Sequence, residues 1–219
     1  MTLKQRHSFS SSAVIQDDKG RYLLLVNKNA LTRGEVLLMP VSGKIAIDPV
    51  EMRLFAGHGA VFSKIGPPMI DLVFRAPVSS ADALRELFAT GYAGRNATIL
   101  RETREELVRE TRTLRQKHLA GMTAKFSHIG SEQAPSKRAG GEETLRLMSF
   151  FDVTLSTEAM DRLRRRAQGR PLYERIVSRL RGQYTGPYVY FADADEINAG
   201  RTYPEEAEIA AITRQMLVK

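Results

Sequence analysis

Polar and apolar residues alternate from Phe9 into an apolar run that reaches Gln16, and a second run, RYLLLVN, covers residues 21–27. Between them Asp17-Asp18-Lys19-Gly20 has the composition of a tight turn, so a β-hairpin is expected to open the fold. A third apolar run, Glu35 to Met39, leads into Pro40-Val41-Ser42-Gly43-Lys44. This reads as a small-residue loop that another group can approach closely. From about residue 45 to 96 the pattern changes character. It holds the Gly-rich Phe55-Ala56-Gly57-His58-Gly59, a Pro67-Pro68 turn, a strand-like Met69 to Phe74 and a helical Asp82 to Phe88, which together predict an inserted subdomain. Asn96 then caps a helix on which Ile99, Leu100, Thr103, Leu107 and Leu114 keep a roughly helical spacing, with no Gly or Pro before about Lys117. Strands are expected at Ala124 to Gly130 and Leu145 to Leu155, separated by a polar loop from Ser131 to Glu143. A helical stretch, Glu158 to Leu180, a short strand, Tyr188 to Phe191, and a terminal helix, Pro204 to Leu217, complete the chain. Strands with interspersed helices predict a mixed α/β layered fold, one domain over residues 1–219 carrying the insertion.

Composition narrows the chemistry. At 219 residues and 42% hydrophobic, the chain can bury one substantial core. The absence of cysteine excludes a disulfide framework, a thiolate nucleophile, an iron–sulfur cluster and any Cys-containing zinc site. The four histidines, His7, His58, His118 and His128, include no helical zinc pair, so a metal would sit on oxygen ligands, which favours magnesium or manganese. Thirty-three Lys plus Arg against 25 Asp plus Glu give a net charge of +8 and point to anionic partners. A nucleotide, a nucleic acid and a merely solvated arginine-rich surface all satisfy that charge. With no Trp and only 7% aromatic residues, the stacking platforms of a nucleic-acid binder are not favoured. The opening MTLKQRHSFSSS lacks a secretory apolar stretch and no apolar run reaches the ~18 residues of a membrane span, so a cytoplasmic location without a membrane partner is expected. A homodimer is compatible with the sequence.

The segment Arg101-Glu102-Thr103-Arg104-Glu105-Glu106-Leu107 carries the most chemistry, because a helix puts Glu102, Glu105 and Glu106 on one face. Three neighbouring carboxylates need a counter-charge. A hard divalent ion is one solution and arginine is the other, since Arg101, Glu105 and Arg109 stand four apart and can lace a surface helix with ion pairs. His58, Glu142-Glu143, Glu196, the run Arg162 to Arg166 and the pair Lys137-Arg138 are weaker candidates, commonplace in loops, turns and solvated helix faces.

RETREEL resembles the second half of the Nudix box, through Arg101, Glu102, Glu105 and Glu106. SAVIQDDKGRYLLLVNK and GEVLLMPVSGK are similar to the hairpin and strand-loop that precede the box, and YVYFADADEINAG to the closing strand and acidic turn. The resemblance implies a Nudix-like α/β/α sandwich with a mixed sheet. It also implies Mg²⁺- or Mn²⁺-dependent hydrolysis of a pyrophosphate bond in a nucleoside diphosphate-linked substrate. On that reading Glu102, Glu105 and Glu106 hold the metal, Glu105, Glu106 and Arg101 carry catalysis, and Gly43 and Lys44 meet the substrate. The chain also departs from the family. The glycine-bearing loop ends more than fifty residues before Arg101, Ala93 stands at the usual place of the first glutamate, and Val108 replaces the closing glycine. The box is split, a pattern similar to some bacterial Nudix-like proteins associated with nucleotide-signalling defence systems. A non-catalytic nucleotide-binding or sensing module is the alternative these departures imply, and a basic nucleic-acid-binding protein is the second. Because the insertion is read as separate, the rest is expected to fold when residues 48–94 are replaced by a linker.

Overall fold

A computed structural model describes residues 3–62, 70–136, 140–169, 175, 178–202 and 207–218. In chain order these form β1 (Lys4–Val14), β2 (Tyr22–Val26), α1 (Lys28–Leu31), β3 (Leu37–Met39), β4 (Ser42–Lys44), β5 (Ala46–Ile47), α2 (Met52–Gly57), β6 (Val61–Phe62), β7 (Ile70–Asp71) and β8 (Val73–Pro77). There follow α3 (Ala81–Gly91), α4 (Asn96–Arg104), β9 (Thr123–Ser136), β10 (Glu142–Thr154), α5 (Thr157–Ala167), β11 (Val189–Ala192) and, after the short helix Ala194–Ala199, β12 (Glu208–Ile209). The fold is mixed α/β. The chain divides into two compact units, Met1–Ser12, Ser42–Ile99 and Lys125–Phe151 in the first, and Ala13–Val41, Leu100–Ala124 and Asp152–Lys219 in the second.

The first unit is built on a sheet of order β6-β8-β1-β10-β9, with β4 also paired to β1. Its core is aromatic. Phe9 of β1 lies 5.3 Å from Phe74 of β8 and 4.9 Å from Phe88 of α3, ring centre to ring centre, and Phe55 of α2 lies 5.2 Å from Tyr92. Leu84 and Phe88, four apart on α3, are its buried stripe, as the periodicity of Asp82 to Phe88 predicts. Among the described residues the stretch 45–96 has no core of its own. Ile45, Ile47, Phe55, Leu72, Phe74, Leu84 and Phe88 share one buried cluster with Phe9, which precedes the stretch, and with Leu145 and Leu147, which follow it.

The second unit carries a four-stranded sheet of order β11-β2-β3-β12, mixed because β12 runs parallel to β3 while the other pairs are antiparallel. The expected turn is present. One Asp17 carboxylate oxygen accepts the backbone N–H groups of Lys19 and Arg21 at 3.0 and 2.9 Å, and the other takes a two-pronged bond from the Arg21 guanidinium at 3.0 and 2.7 Å. Helix α5 is capped by the Ser156 hydroxyl, which accepts from the Ala159 N–H, and packs on β11 with Met160 and Leu163 buried.

Several expectations are corrected. Ser42 to Lys44 form a strand, not a loop, with Lys44 opposite Ser10 and Gly43 opposite Ser11. The loop expected from Ser131 is strand as far as Ser136, because β9 extends along the hairpin with β10. The helix expected over Glu158 to Leu180 is interrupted: its first segment ends at Ala167, followed by Gly169 at φ 134°, and residues 175 and 178–180 are again helical, with 170–174 and 176–177 outside the described residues. The terminal helix is replaced by β12, which finds a partner in β3, and by a 3₁₀ turn, Ala211–Leu217; residues 203–206 lie outside the described residues. Met69, Pro67-Pro68 and Lys137-Arg138 lie outside them as well.

Candidate functional site

Arg101 to Arg104 close α4, and the chain then changes pitch into a π turn, Glu105–Glu110. Thr103 and Leu107, four apart and fully buried, anchor this segment. The opposite face carries the charges. Arg101, Arg104 and Arg109 are exposed, while Glu102, Glu105 and Glu106 are half-buried. The expected run to Lys117 stops early because two threonines compete for the last carbonyls. The Thr111 hydroxyl and N–H both donate to the Glu106 carbonyl at 2.8 Å, and the Thr113 hydroxyl donates to the Leu107 carbonyl at 3.1 Å. Arg112 then takes a positive φ of 52°, a left-handed conformation that cannot continue the helix. From α1, Lys28 Nζ donates to the Glu110 carbonyl at 2.6 Å and ties down this end.

Within the turn, Arg101 is the organising residue. Its guanidinium reaches Glu102 Oε1 at 2.5 Å and Glu105 Oε2 at 2.9 Å, bridging two of the three predicted carboxylates. Glu105 Oε1 is 3.9 Å from Arg109 Nη1. Burial pushes the Glu102 carboxyl above its usual range, Glu105 and Glu110 add repulsion, and the Arg101 charge only partly opposes them. Beside these groups lies a cleft of about 250 Å³ lined by Arg101, Arg104, Glu105, Arg109 and Gln116. Its lining carries three guanidinium groups and an amide against one carboxylate, a charge balance that favours an anion.

The structure thus brings Arg101, Glu102 and Glu105 into one bonded group with a cleft beside it, and it keeps Glu106 on the same turn. It places Gly43 and Lys44 in the first unit, paired with β1, and the cleft is lined by residues of the second unit alone. Several of the weaker candidates have structural duties. Glu142 is forked by Arg75 at 2.8 and 2.6 Å, Glu196 completes a capping box with Asp193, and His58 ends α2. In the arginine run, Arg164 pairs with Asp161 at 2.9 Å and Asp18 at 2.5 Å, and Arg162 approaches Glu158 at 3.5 Å. Arg104, Arg109 and Gln116 were not singled out as ligand-binding residues from the sequence. The spacing of four between Arg101, Glu105 and Arg109 was the available signal, whereas Gln116 arrives through the turn after the helix.

Among the described residues no group of three or more His, Asp or Glu side chains is assembled for a metal ion. With Arg101 on Glu102 and on one oxygen of Glu105, the donor set does not make a closed cage. Any hard cation here would have to bring further oxygens with it, since magnesium commonly takes only one or two protein carboxylates beside substrate and water. Also among the described residues, no helix is long and apolar enough to cross a membrane.

No family model matches the chain, and no curated protein matches it. Among solved structures, the solution structure of the E. coli ORF135 protein has a TM-score of 0.39 to this chain at 13% identity, covering 97% of this chain and 87% of that one.

Proposed function

We propose that the chain is a Nudix-type hydrolase acting on a pyrophosphate bond in a nucleotide-type substrate with Mg²⁺ or Mn²⁺. The observation that carries this reading is the two-way bridge from Arg101 to Glu102 and Glu105 beside an arginine-lined cleft. A bracing arginine is what the resemblance implies for Arg101, and the cleft supplies positive charge where phosphates would lie. A divalent ion, when bound, supplies charge compensation on the phosphate oxygens and a water of lowered pKa. Glu105 and Glu106 are the residues that would offer it oxygens, and either carboxylate can take the proton of the attacking water. Arg101 positions the carboxylates and, by neutralising two of them, reduces repulsion against an incoming polyanion.

The same bridge favours a second reading, a nucleotide-binding module without turnover, because Glu102 and Glu105 already have a counter-charge in Arg101. A panel of nucleoside di- and triphosphates, dinucleoside polyphosphates and nucleotide sugars, incubated with Mg²⁺ or Mn²⁺ and resolved by chromatography, separates the two. Hydrolysis of any member that disappears in Glu105→Gln supports the enzyme. Binding of panel members with every one recovered intact supports the module.

A further inference from the structure

We propose that the cleft reads the terminal phosphates of its ligand and is indifferent to the nucleobase. Arg104, Arg109 and Gln116 would cradle a di- or triphosphate end whose nucleoside lies outside the cleft. The inference rests on the reading of this site as one for phosphate-bearing ligands. Three observations lead to it. At about 250 Å³ the cleft is smaller than the ~300–1,000 Å³ pockets that enclose a whole drug-sized ligand, so it takes a headgroup and not a complete nucleotide. None of its lining residues is aromatic or apolar, so nothing in the wall offers a face on which a base can stack.

The third observation is the allocation of charge. Arg101 is committed to Glu102 and Glu105, whereas Arg109 stands 3.9 Å from Glu105 with its side chain 80% exposed. Among the described residues Arg104 has no ion pair, and Gln116 has no side-chain hydrogen bond. Two guanidinium groups and an amide are therefore available to phosphate oxygens, and the planar fork of arginine matches a phosphate in two-pronged contact. Recognition built from such contacts depends on the charge and number of phosphates, which all four nucleotides share.

The test is calorimetric titration of the full chain, at low ionic strength and without metal, with inorganic pyrophosphate, tripolyphosphate, ATP, GTP, CTP and UTP. The four nucleotides should bind within about three-fold of one another and of tripolyphosphate. Arg104→Gln/Arg109→Gln should weaken all of them about ten-fold or more, as expected for the loss of two charge-assisted contacts, while Arg165→Gln on α5 leaves them unchanged. Thermal melting of each variant verifies the fold. A preference of more than about ten-fold for one base, no binding of any probe, or unchanged affinities in the double variant would overturn the proposal. The expected binding pattern without turnover would leave this inference standing and remove the hydrolase; turnover with strong base selectivity would do the reverse.

Discussion

His7 sits fully buried in β1, its ring stacked on Phe74 at 5.2 Å, and neither ring nitrogen has a hydrogen-bond partner among the described residues. Burial first, and the Arg85 charge second, lower its pKa from 6.5 to about 4. The unfolded chain therefore takes up a proton where the folded chain does not. The stability held in the neutral imidazole is complete above pH 6.5 and is lost progressively as pH falls toward 4. In His7→Phe the decline in melting temperature over that window should be shallower, by a difference worth up to ~3 kcal/mol, and parallel profiles for the two proteins would refute the assignment. Arg101 has a second consequence at this scale. In Arg101→Gln the Glu102 carboxylate, with its side chain only 14% exposed, loses the ion pair that offsets its burial, so urea unfolding should show a loss of about 1 kcal/mol. An unchanged midpoint would mean that the bridge contributes nothing to the fold.

At the scale of elements, the turn after α4 is where chemistry and local structure meet. Glu105→Gln and Glu106→Gln keep side-chain volume while removing a charge, so each should abolish most hydrolysis with little change in melting temperature. Wild-type turnover in both would exclude the carboxylates from catalysis. The charged face of this helix was legible because positions 101, 102, 105, 106 and 109 need only helical geometry to meet. The end of the helix was not, since it depends on two threonine hydroxyls and on a backbone turn at Arg112, against a sequence without Gly or Pro. The same contrast holds elsewhere. The Asp17 turn and the Leu84–Phe88 stripe are local and were readable, whereas β4 and β12 exist because a distant strand, β1 or β3, offers them a ladder. Short segments such as Ser42-Gly43-Lys44 carry almost no strand signal of their own. A close approach was equally hidden at Gly59, where φ is 78° and an added Cβ would stand 2.9 Å from Pro77 Cδ. Gly59→Ala should therefore cost about 1–2 kcal/mol in denaturant titration, and a neutral outcome would mean that the turn relaxes freely.

Over the whole molecule, sequence order and core membership part company. The composition break near residues 45 and 96 reads as an insertion between two halves of a motif, and an insertion of that kind should be removable. The buried cluster of the first unit says otherwise: among the described residues nine of its fourteen buried members fall within 48–94, and they pack with Phe9, Ile45, Ile47, Leu145 and Leu147. Each large apolar side chain among them contributes about 1.5–3 kcal/mol by burial, so a variant without Phe55, Leu72, Phe74, Leu84, Phe88 and Tyr92 loses most of the apolar burial that holds the first unit together. Replacing 48–94 by a flexible linker also deletes β8, the neighbour of β1 from Lys4 to Ser8, and so uncovers a strand edge. The expected outcome is a first unit that no longer folds. In hydrogen-exchange mass spectrometry of the deletion variant, peptides covering 4–12 and 142–151 should exchange without protection, and the protein should bind a hydrophobic dye. Wild-type protection in those two peptides would show that β1 and β10 hold together without the segment, and that 45–96 is a separable insertion despite the core it shares.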